Sequence, residues 1–183
     1  MQIGILPIGE TDETIIAWIK ENLTRVFPDA TCVVINEKVP LREKAFDEKR
    51  KQYQSHVILS EVQGSAVRKP TLNRVLGVVN ADIFVPKLSF VFGEATCPGK
   101  VAVISLWRLK PEFYGEPTNT SLFLERTLKE AVHELGHTLG LEHCPQSSCV
   151  MHFSNSISDT DMKQSYFCDK CYLHAKTSSN KLR

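Results

Sequence analysis

The chain has 183 residues, of which 42% are hydrophobic and 23% are charged, so it can bury a core and is too apolar to be disordered. Lys and Arg total 22 against 21 for Asp and Glu, and a net charge of +1 argues against binding nucleic acid through a basic surface. The sequence has neither an apolar run of membrane-spanning length nor the opening pattern of a signal peptide. We therefore expect a cytoplasmic monomer with no nucleic-acid or membrane partner.

Strands and helices alternate in the first part of the chain. Gln2–Ile8 is predicted to form a buried strand, and a helix with isoleucines at helical spacing should be capped by Thr11 and end at Pro28. Residues 31–36 are β-branched and apolar, which predicts a second strand. The charged stretch at 42–63, with apolar residues interleaved, predicts an amphipathic helix.

The middle of the chain contains short apolar runs separated by Pro and Gly, followed by one long helical pattern. The predicted elements are a loop at 64–70, strands at 75–80, 89–92 and 101–107, and a helix at 120–139.

The end of the chain differs in composition. Beyond Gly140 it has few large apolar residues and is rich in Cys, Ser and Asp, with one short helix predicted from Asp159 and a disordered tail at 176–183. This order predicts an α/β domain at 1–143 and a small irregular C-terminal subdomain at 144–183.

Cysteine and histidine are unevenly distributed. Four of the six cysteines fall within 28 residues near the C-terminus, and three of the six histidines fall within eleven residues. Because disulfides are rare in the cytoplasm, histidines clustered beside cysteines indicate a metal protein. The clustered residues are His133, His137, His143, Cys144, Cys149, Cys168 and Cys171.

His133, Glu134 and His137 form an HExxH motif on the predicted long helix. Four residues make slightly more than one helical turn, so both imidazoles project from one face and can hold one ion. Gly140 can adopt a positive φ and fold the chain back, so that His143 reaches the same metal. Three nitrogen ligands with an open fourth position are typical of a catalytic zinc. An apolar stripe lies on the opposite face of the helix: Leu124, Leu128, Ala131, Val132, Leu135 and Leu139.

Glu134 flanks the ligand face of this helix, about 100° round from His133. The position suits a general base that takes a proton from a zinc-activated water and later returns a proton to a leaving amine. We therefore predict hydrolysis of an acyl bond, most simply a peptide bond. Arg126 and Glu130, four residues apart nearer the helix start, are interpreted as a surface pair, and the alternative is contact with a metal ligand.

The full motif HExxHxxGxxH resembles the metzincin signature. The resemblance implies a twisted mixed sheet with a backing helix and an active-site helix, followed by an irregular C-terminal subdomain with a Met-turn. Met151, eight residues after His143, matches the Met-turn and is implied to lie under the metal without ligating it. Some metzincins carry a Tyr two residues further on that can stabilise the oxyanion, but here that residue is Phe153. Tyr114, Tyr166 and His152 are alternative stabilisers, among which the sequence does not choose.

The cysteine pattern beside the HExxH helix is similar to that of the archaemetzincins, over about residues 126–171. The resemblance implies a structural zinc on Cys144, Cys149, Cys168 and Cys171, and hence two zinc ions per chain. The low apolar content of this segment agrees with a metal, because zinc contributes about 10–16 kcal/mol to the folding of small modules. A Cys168–Cys171 redox pair and two disulfides remain the alternatives.

The other two cysteines lie apart from this cluster. Cys32 falls inside a predicted strand and is expected to act as a small buried apolar residue. Cys97 falls in a Pro-Gly loop, where a thiol that reaches the catalytic zinc is a minor alternative.

These patterns predict a zinc metallopeptidase that acts on small peptides, since a strong general protease would endanger its own cell. One alternative is a zinc hydrolase of another amide. The other is a binding module whose cysteine-zinc element contacts a partner while the HExxH site is inactive. Glu134 argues against the last alternative, because an inactive site does not need its general base.

Overall fold

The structure is a computed structural model that describes residues 1–27 and 29–180. Within these residues no helix is both long enough and apolar enough to cross a bilayer. The strands are β1 (Gln2–Ile8), β2 (Thr31–Val34), β3 (Phe46–Asp47), β4 (Gln52–Gln54), β5 (Arg74–Val79), β6 (Ile83–Phe84), β7 (Gly93–Ala95) and β8 (Val101–Ser105). The α-helices are α1 (Glu13–Val26), α2 (Ser55–Arg68), α3 (Thr120–Thr138), α4 (Ile157–Met162) and α5 (Asp169–Asn180).

A five-stranded mixed sheet with the order β2-β1-β5-β8-β7 forms the centre of the fold. The first four strands are parallel, whereas β7 runs antiparallel to β8 at one edge. Side chains of β1 alternate between the two faces, with Ile3 and Ile5 in one core cluster and Leu6 and Ile8 in the other. Helices α1 and α3 cover the first cluster and α2 covers the second. The predicted mixed sheet with a backing helix and an active-site helix is therefore confirmed.

The long helix is close to its predicted bounds. The Asn119 side chain caps α3 by accepting a hydrogen bond from the backbone N–H of Leu122 at 3.0 Å. The predicted apolar stripe faces the sheet and α1, and five of its six residues are buried. This packing places the opposite face of α3, which carries the histidines, toward the edge strand β7.

The helix predicted at 42–63 is wrong in its first half. A 3-10 turn at Glu43–Ala45 leads into the hairpin of β3 and β4, and α2 begins only at Ser55. The Asp47 side chain accepts a hydrogen bond from the backbone N–H of Lys49 at 2.9 Å. Local bonds of this kind stabilise a turn in competition with a helix.

The loop predicted at 64–70 is also wrong for most of its length, because α2 continues through Gly64 to Arg68. Val62 and Ala66 are fully buried against the sheet. That burial outweighs the low helix propensity of a glycine.

The edge of the sheet is shifted from its predicted position. The strand predicted at 89–92 is replaced by β7, which starts at Gly93, and the short strand β6 was not predicted. A Cβ atom at Gly93 would lie 2.5 Å from Glu134 Cγ, so only glycine lets the edge strand approach α3 this closely.

The cap of α1 is Asp12 rather than the predicted Thr11, because Asp12 Oδ1 accepts the backbone N–H of Thr14 at 2.8 Å. The helix ends at Val26, and Pro28, its predicted stop, lies outside the described residues.

The disordered tail predicted at 176–183 is wrong for residues 176–180, which continue α5. Cys171 and Ala175 on this helix are buried in the cluster under α1 and α3, which supplies the packing that the sequence pattern did not reveal. Residues 181–183 lie outside the described part of the chain.

Candidate metal centre and active-site cleft

Three imidazoles converge at the C-terminal end of α3. His133 and His137 project from one face of the helix, and their Nε2 atoms are 3.1 Å apart. One ring nitrogen from each of His133, His137 and His143 lies within 4.8 Å of the others. This spacing is short enough for all three rings to hold a single ion.

A glycine turn delivers the third histidine. Gly140 has a φ of +85°, its N–H donates to His137 O at 2.8 Å, and the Leu141 N–H donates to Gly136 O at 3.2 Å. The positive φ ends α3 and reverses the chain, as the sequence predicts. His143 therefore approaches the cluster from outside the helix.

Backbone carbonyls orient the rings of the first two histidines. His133 Nδ1 lies 2.8 Å from Val150 O, and His137 Nδ1 lies 2.8 Å from Leu141 O. A carbonyl only accepts, so each Nδ1 carries the proton and each Nε2 keeps its lone pair for a cation. Sequence motifs do not reveal these carbonyls, because any residue type could supply them.

The electrostatic surroundings keep the rings neutral. Burial lowers the pKa of His133 well below its ordinary value, and the Lys163 ammonium lowers it further. Burial also lowers the pKa of His137 and of His143. Three neutral nitrogen donors with a free side toward a cleft match the donor set of a catalytic zinc, so these residues fit that metal.

Met151 lies directly beneath α3. The residue is fully buried, and a Cβ atom at Gly136 would overlap its Sδ atom. The same turn carries Val150, whose carbonyl orients His133. Met151 therefore supports the helix at the level of the histidines.

Glu134 is buried beside the histidines and lines the same cleft. Burial raises its pKa well above the ordinary value, and the negative charge of Glu130 raises it further, while Lys163 acts in the opposite direction. A divalent cation at the histidines would also favour the carboxylate form.

The interpretation of Arg126 and Glu130 as a surface pair is wrong. Both are buried, and each pairs with the end of α4 rather than with the other. Arg126 donates to both oxygens of Asp161 at 2.7 Å, and Glu130 Oε1 lies 2.9 Å from Lys163 Nζ. Sequence reasoning missed Lys163. The one signal for it was the position of Glu130 on the histidine face of the helix, where a buried carboxylate needs a cation.

The cleft beside this centre has a volume of about 440 Å³. The chain from Leu88 to Ala95, which includes β7, forms one wall, and Phe153, Ser154 and Asn155 form part of the other. The Phe153 ring packs on His143 with centroids 4.7 Å apart. The cleft thus opens onto the free side of the three histidines.

The four clustered cysteines form a second potential metal site. One sulfur from each lies within 4.8 Å of the others, and Cys149 and Cys171 are buried. All four are free thiols, and the Cys144 and Cys168 sulfurs are 3.8 Å apart, well beyond the roughly 2.05 Å of a disulfide. Burial raises the pKa of Cys171. Burial also acts to raise the pKa of Cys168, but hydrogen bonds, above all the one with the Cys171 backbone, outweigh it and lower that pKa.

The two remaining cysteines are separate from both clusters. Cys32 is buried in β2, and burial raises its pKa to about 11, which makes it an inert thiol. Cys97 lines the cleft, but its Sγ contacts Leu141 O at 3.6 Å and is not grouped with the three ring nitrogens.

The three alternative oxyanion stabilisers do not reach the cleft. The Tyr114 hydroxyl donates to Arg108 O at 2.9 Å, and His152 Nδ1 lies 3.0 Å from Cys144 O. Tyr166 is 59% exposed. None of the three is among the described residues that line the cleft.

Comparison with known proteins connects this arrangement to a family. Residues 15–177 match the model of peptidase family M54. The archaemetzincin of Pyrococcus abyssi is 44% identical over 173 residues, which cover 92% of this chain and 91% of the relative.

Solved structures are similar over nearly the whole chain. The crystal structure of an archaemetzincin from Methanopyrus kandleri matches with a TM-score of 0.85 and 33% identity, covering 98% of this chain and 96% of that one. A zinc-dependent peptidase from Methanocorpusculum labreanum matches with a TM-score of 0.85 and 27% identity, covering 94% of this chain and 99% of that one.

Proposed function

Since the chain belongs to peptidase family M54, the archaemetzincins, and is a zinc-dependent metallopeptidase, we propose that Glu134 and three histidines form its peptide-hydrolysing centre. His133, His137 and His143 would hold the catalytic zinc. The observation that carries this assignment is the convergence of three ring nitrogens within 4.8 Å beside a buried carboxylate.

When bound, zinc lowers the pKa of a water molecule and polarises a carbonyl group. Glu134 takes the proton of the attacking water, because its carboxylate lies in the cleft beside the histidines. The same residue then returns a proton to the amine that leaves.

We also propose a second, structural zinc on Cys144, Cys149, Cys168 and Cys171. Four sulfur ligands leave no open position, which suits a structural site. Its place between the Met-turn and α5 supports a small C-terminal subdomain at 144–183 beside an α/β unit at 1–143. Cysteines that remain free thiols fit a reducing compartment, which supports a cytoplasmic location.

A single chain completes the proposed site, since every group assigned to it lies on one copy. A monomer that cleaves small peptides is therefore the form we propose. The cleft volume of about 440 Å³ suits a few residues of an extended peptide.

The variant Glu134→Gln tests the proposed base. It keeps the shape of the side chain and removes the proton acceptor, so turnover of a peptide library should fall by about 10²- to 10⁴-fold while zinc content stays unchanged. Glu10→Gln, at an exposed glutamate outside the cleft, is the matched control. Full turnover by Glu134→Gln would refute the assignment.

Elemental analysis tests the metal sites. The wild type should bind two zinc ions, and His137→Ala should keep one and lose all activity. Cys168→Ser should lose the other zinc and the hydrogen-exchange protection of residues beyond Gly140. One zinc in the zinc-saturated wild type would contradict the two-site proposal.

A further inference from the structure

The active-site cleft contains a buried hydroxyl group that the proposed mechanism does not yet use. Ser154 lines the cleft together with His143 and Glu134. Its Oγ is buried, and among the described residues it has no hydrogen-bond partner. Native proteins rarely leave a buried hydroxyl unpaired, so the missing partner is expected to come from outside the chain.

The backbone around Ser154 is held firmly on both sides. Before it, the ring of Phe153 packs on His143. After it, the Asp159 carboxylate accepts the backbone N–H groups of Asn155 and Ser156 at 3.0 and 2.9 Å. The hydroxyl is thus carried on a fixed loop beside the histidines, which is the preorganisation that a catalytic donor requires.

The Ser154 side chain is free to turn toward a ligand. Within the described part of the chain no hydrogen bond has to break when Oγ moves, and serine can rotate about χ1 between staggered positions. A hydroxyl that already had an internal partner would gain less from a ligand.

Other polar side chains are less suited to this role. Lys163 Nζ is fully buried and paired with Glu130, and Lys163 does not line the cleft. Asn155 lines the cleft but is exposed, so solvent is available to its amide without a substrate. Ser154 is therefore the donor whose unpaired state a substrate would relieve.

We propose that the Ser154 hydroxyl is a catalytic hydrogen-bond donor to the oxyanion of the tetrahedral intermediate, an inference that rests on the proposed hydrolysis. The water oxygen bonds to the carbonyl carbon, the π electron pair moves to the carbonyl oxygen, and Glu134 takes the proton of the water. Ser154 donates a hydrogen bond to that oxygen and keeps its own proton. When the electron pair returns, the C–N bond breaks and the amine receives the proton from Glu134.

Turnover and stability together test this role. Ser154→Ala should lower kcat by about 10²- to 10³-fold with little change in KM, as for the loss of one oxyanion donor. Ser154→Thr, which keeps the hydroxyl, should retain more activity than the alanine variant. Ser60→Ala, at an exposed serine of α2, is the matched control.

Stability separates catalysis from a structural role. Removing an unpaired buried hydroxyl breaks no internal bond, so the melting temperature of Ser154→Ala should equal or exceed that of the wild type. A lower melting temperature together with no rescue by threonine would overturn the proposal.

A binding experiment gives a readout that does not depend on turnover. A phosphinic tripeptide carries a tetrahedral anionic centre that resembles the intermediate. Calorimetry on the zinc-loaded proteins should show that Ser154→Ala binds it at least about 10-fold more weakly than the wild type, because hydrogen bonds to charged groups are strong. Equal binding of the phosphinate by the wild type and Ser154→Ala would overturn the proposal. It would also be overturned if only the variant Asn155→Ala bound the phosphinate more weakly.

The two proposals fail in different ways. If the wild type cleaves peptides and Ser154→Ala cleaves them equally well, the hydrolysis stands and the role of Ser154 is wrong. If the wild type cleaves nothing, the proposed hydrolysis is wrong and the catalytic role of Ser154 fails with it, even where the phosphinate still binds through the hydroxyl.

Discussion

A buried ion pair beneath α3 allows a quantitative test of the packing. The side chains of Lys163 and Glu130 are 0% and 3% exposed, and Nζ lies 2.9 Å from Oε1. Among the described residues Lys163 Nζ has no hydrogen bond of regular geometry, so the attraction between the two charges is its main compensation for burial. The pair joins the end of α4 to the active-site helix one turn before Glu134.

Replacing Lys163 by Met keeps most of the side-chain volume but leaves the Glu130 carboxylate buried without its cation. Breaking a buried pair in this way costs about 3–5 kcal/mol of unfolding free energy. For a chain of this size each kcal/mol shifts Tm by about 2–4 °C, so Tm should fall by roughly 6–20 °C. The double variant Lys163→Met, Glu130→Met removes both charges and should lie within about 2 kcal/mol of the wild type.

Urea unfolding of the wild type, both single variants and the double variant gives the coupling free energy as a double-mutant cycle. Lys20→Met, at an exposed lysine of α1, is the control and should change stability by less than about 0.5 kcal/mol. The reasoning is refuted if Lys163→Met costs less than about 1 kcal/mol, or if the double variant is no more stable than the single ones.

Two further predictions concern a helix contact and a surface carboxylate. Gly136→Ala should destabilise the protein by about 1–3 kcal/mol, because the new methyl group overlaps Met151. Gly64→Ala should stabilise it by about 0.5–1 kcal/mol, because alanine favours the helix and the methyl group has room there. Thermal unfolding of both variants and the wild type measures these changes. A hydrogen bond from Lys69 lowers the pKa of Glu37 to about 2, below its ordinary value of 4.5. The stabilisation that the ionised Glu37 gives to the folded state is therefore present above pH 4.5 and is lost as the pH falls toward 2. Glu37→Gln should therefore lower Tm at neutral pH but not near pH 2, and an equal effect at both would contradict this.

The sequence predicted those parts of the protein that depend on short-range spacing. Two histidines four residues apart on a helix share a face whatever surrounds them, and Gly140 permits the turn that brings His143 back. The apolar stripe of α3 similarly follows from the period of the helix. For these features the chemistry of the side chains and their separation along the chain were sufficient.

The tertiary structure decided features that depend on distant residues. Local periodicity could not reveal that α4 buries Glu130 against Lys163, because burial depends on which segment packs over a residue rather than on its neighbours in sequence. The same reason explains the late start of α2, the ordered α5 and the edge strand held against Glu134 through Gly93. Ser154 shows the difference most directly, because its sequence context is that of an ordinary loop serine. Only the folded chain leaves its hydroxyl buried beside the histidines, without a hydrogen-bond partner among the residues that the structure describes.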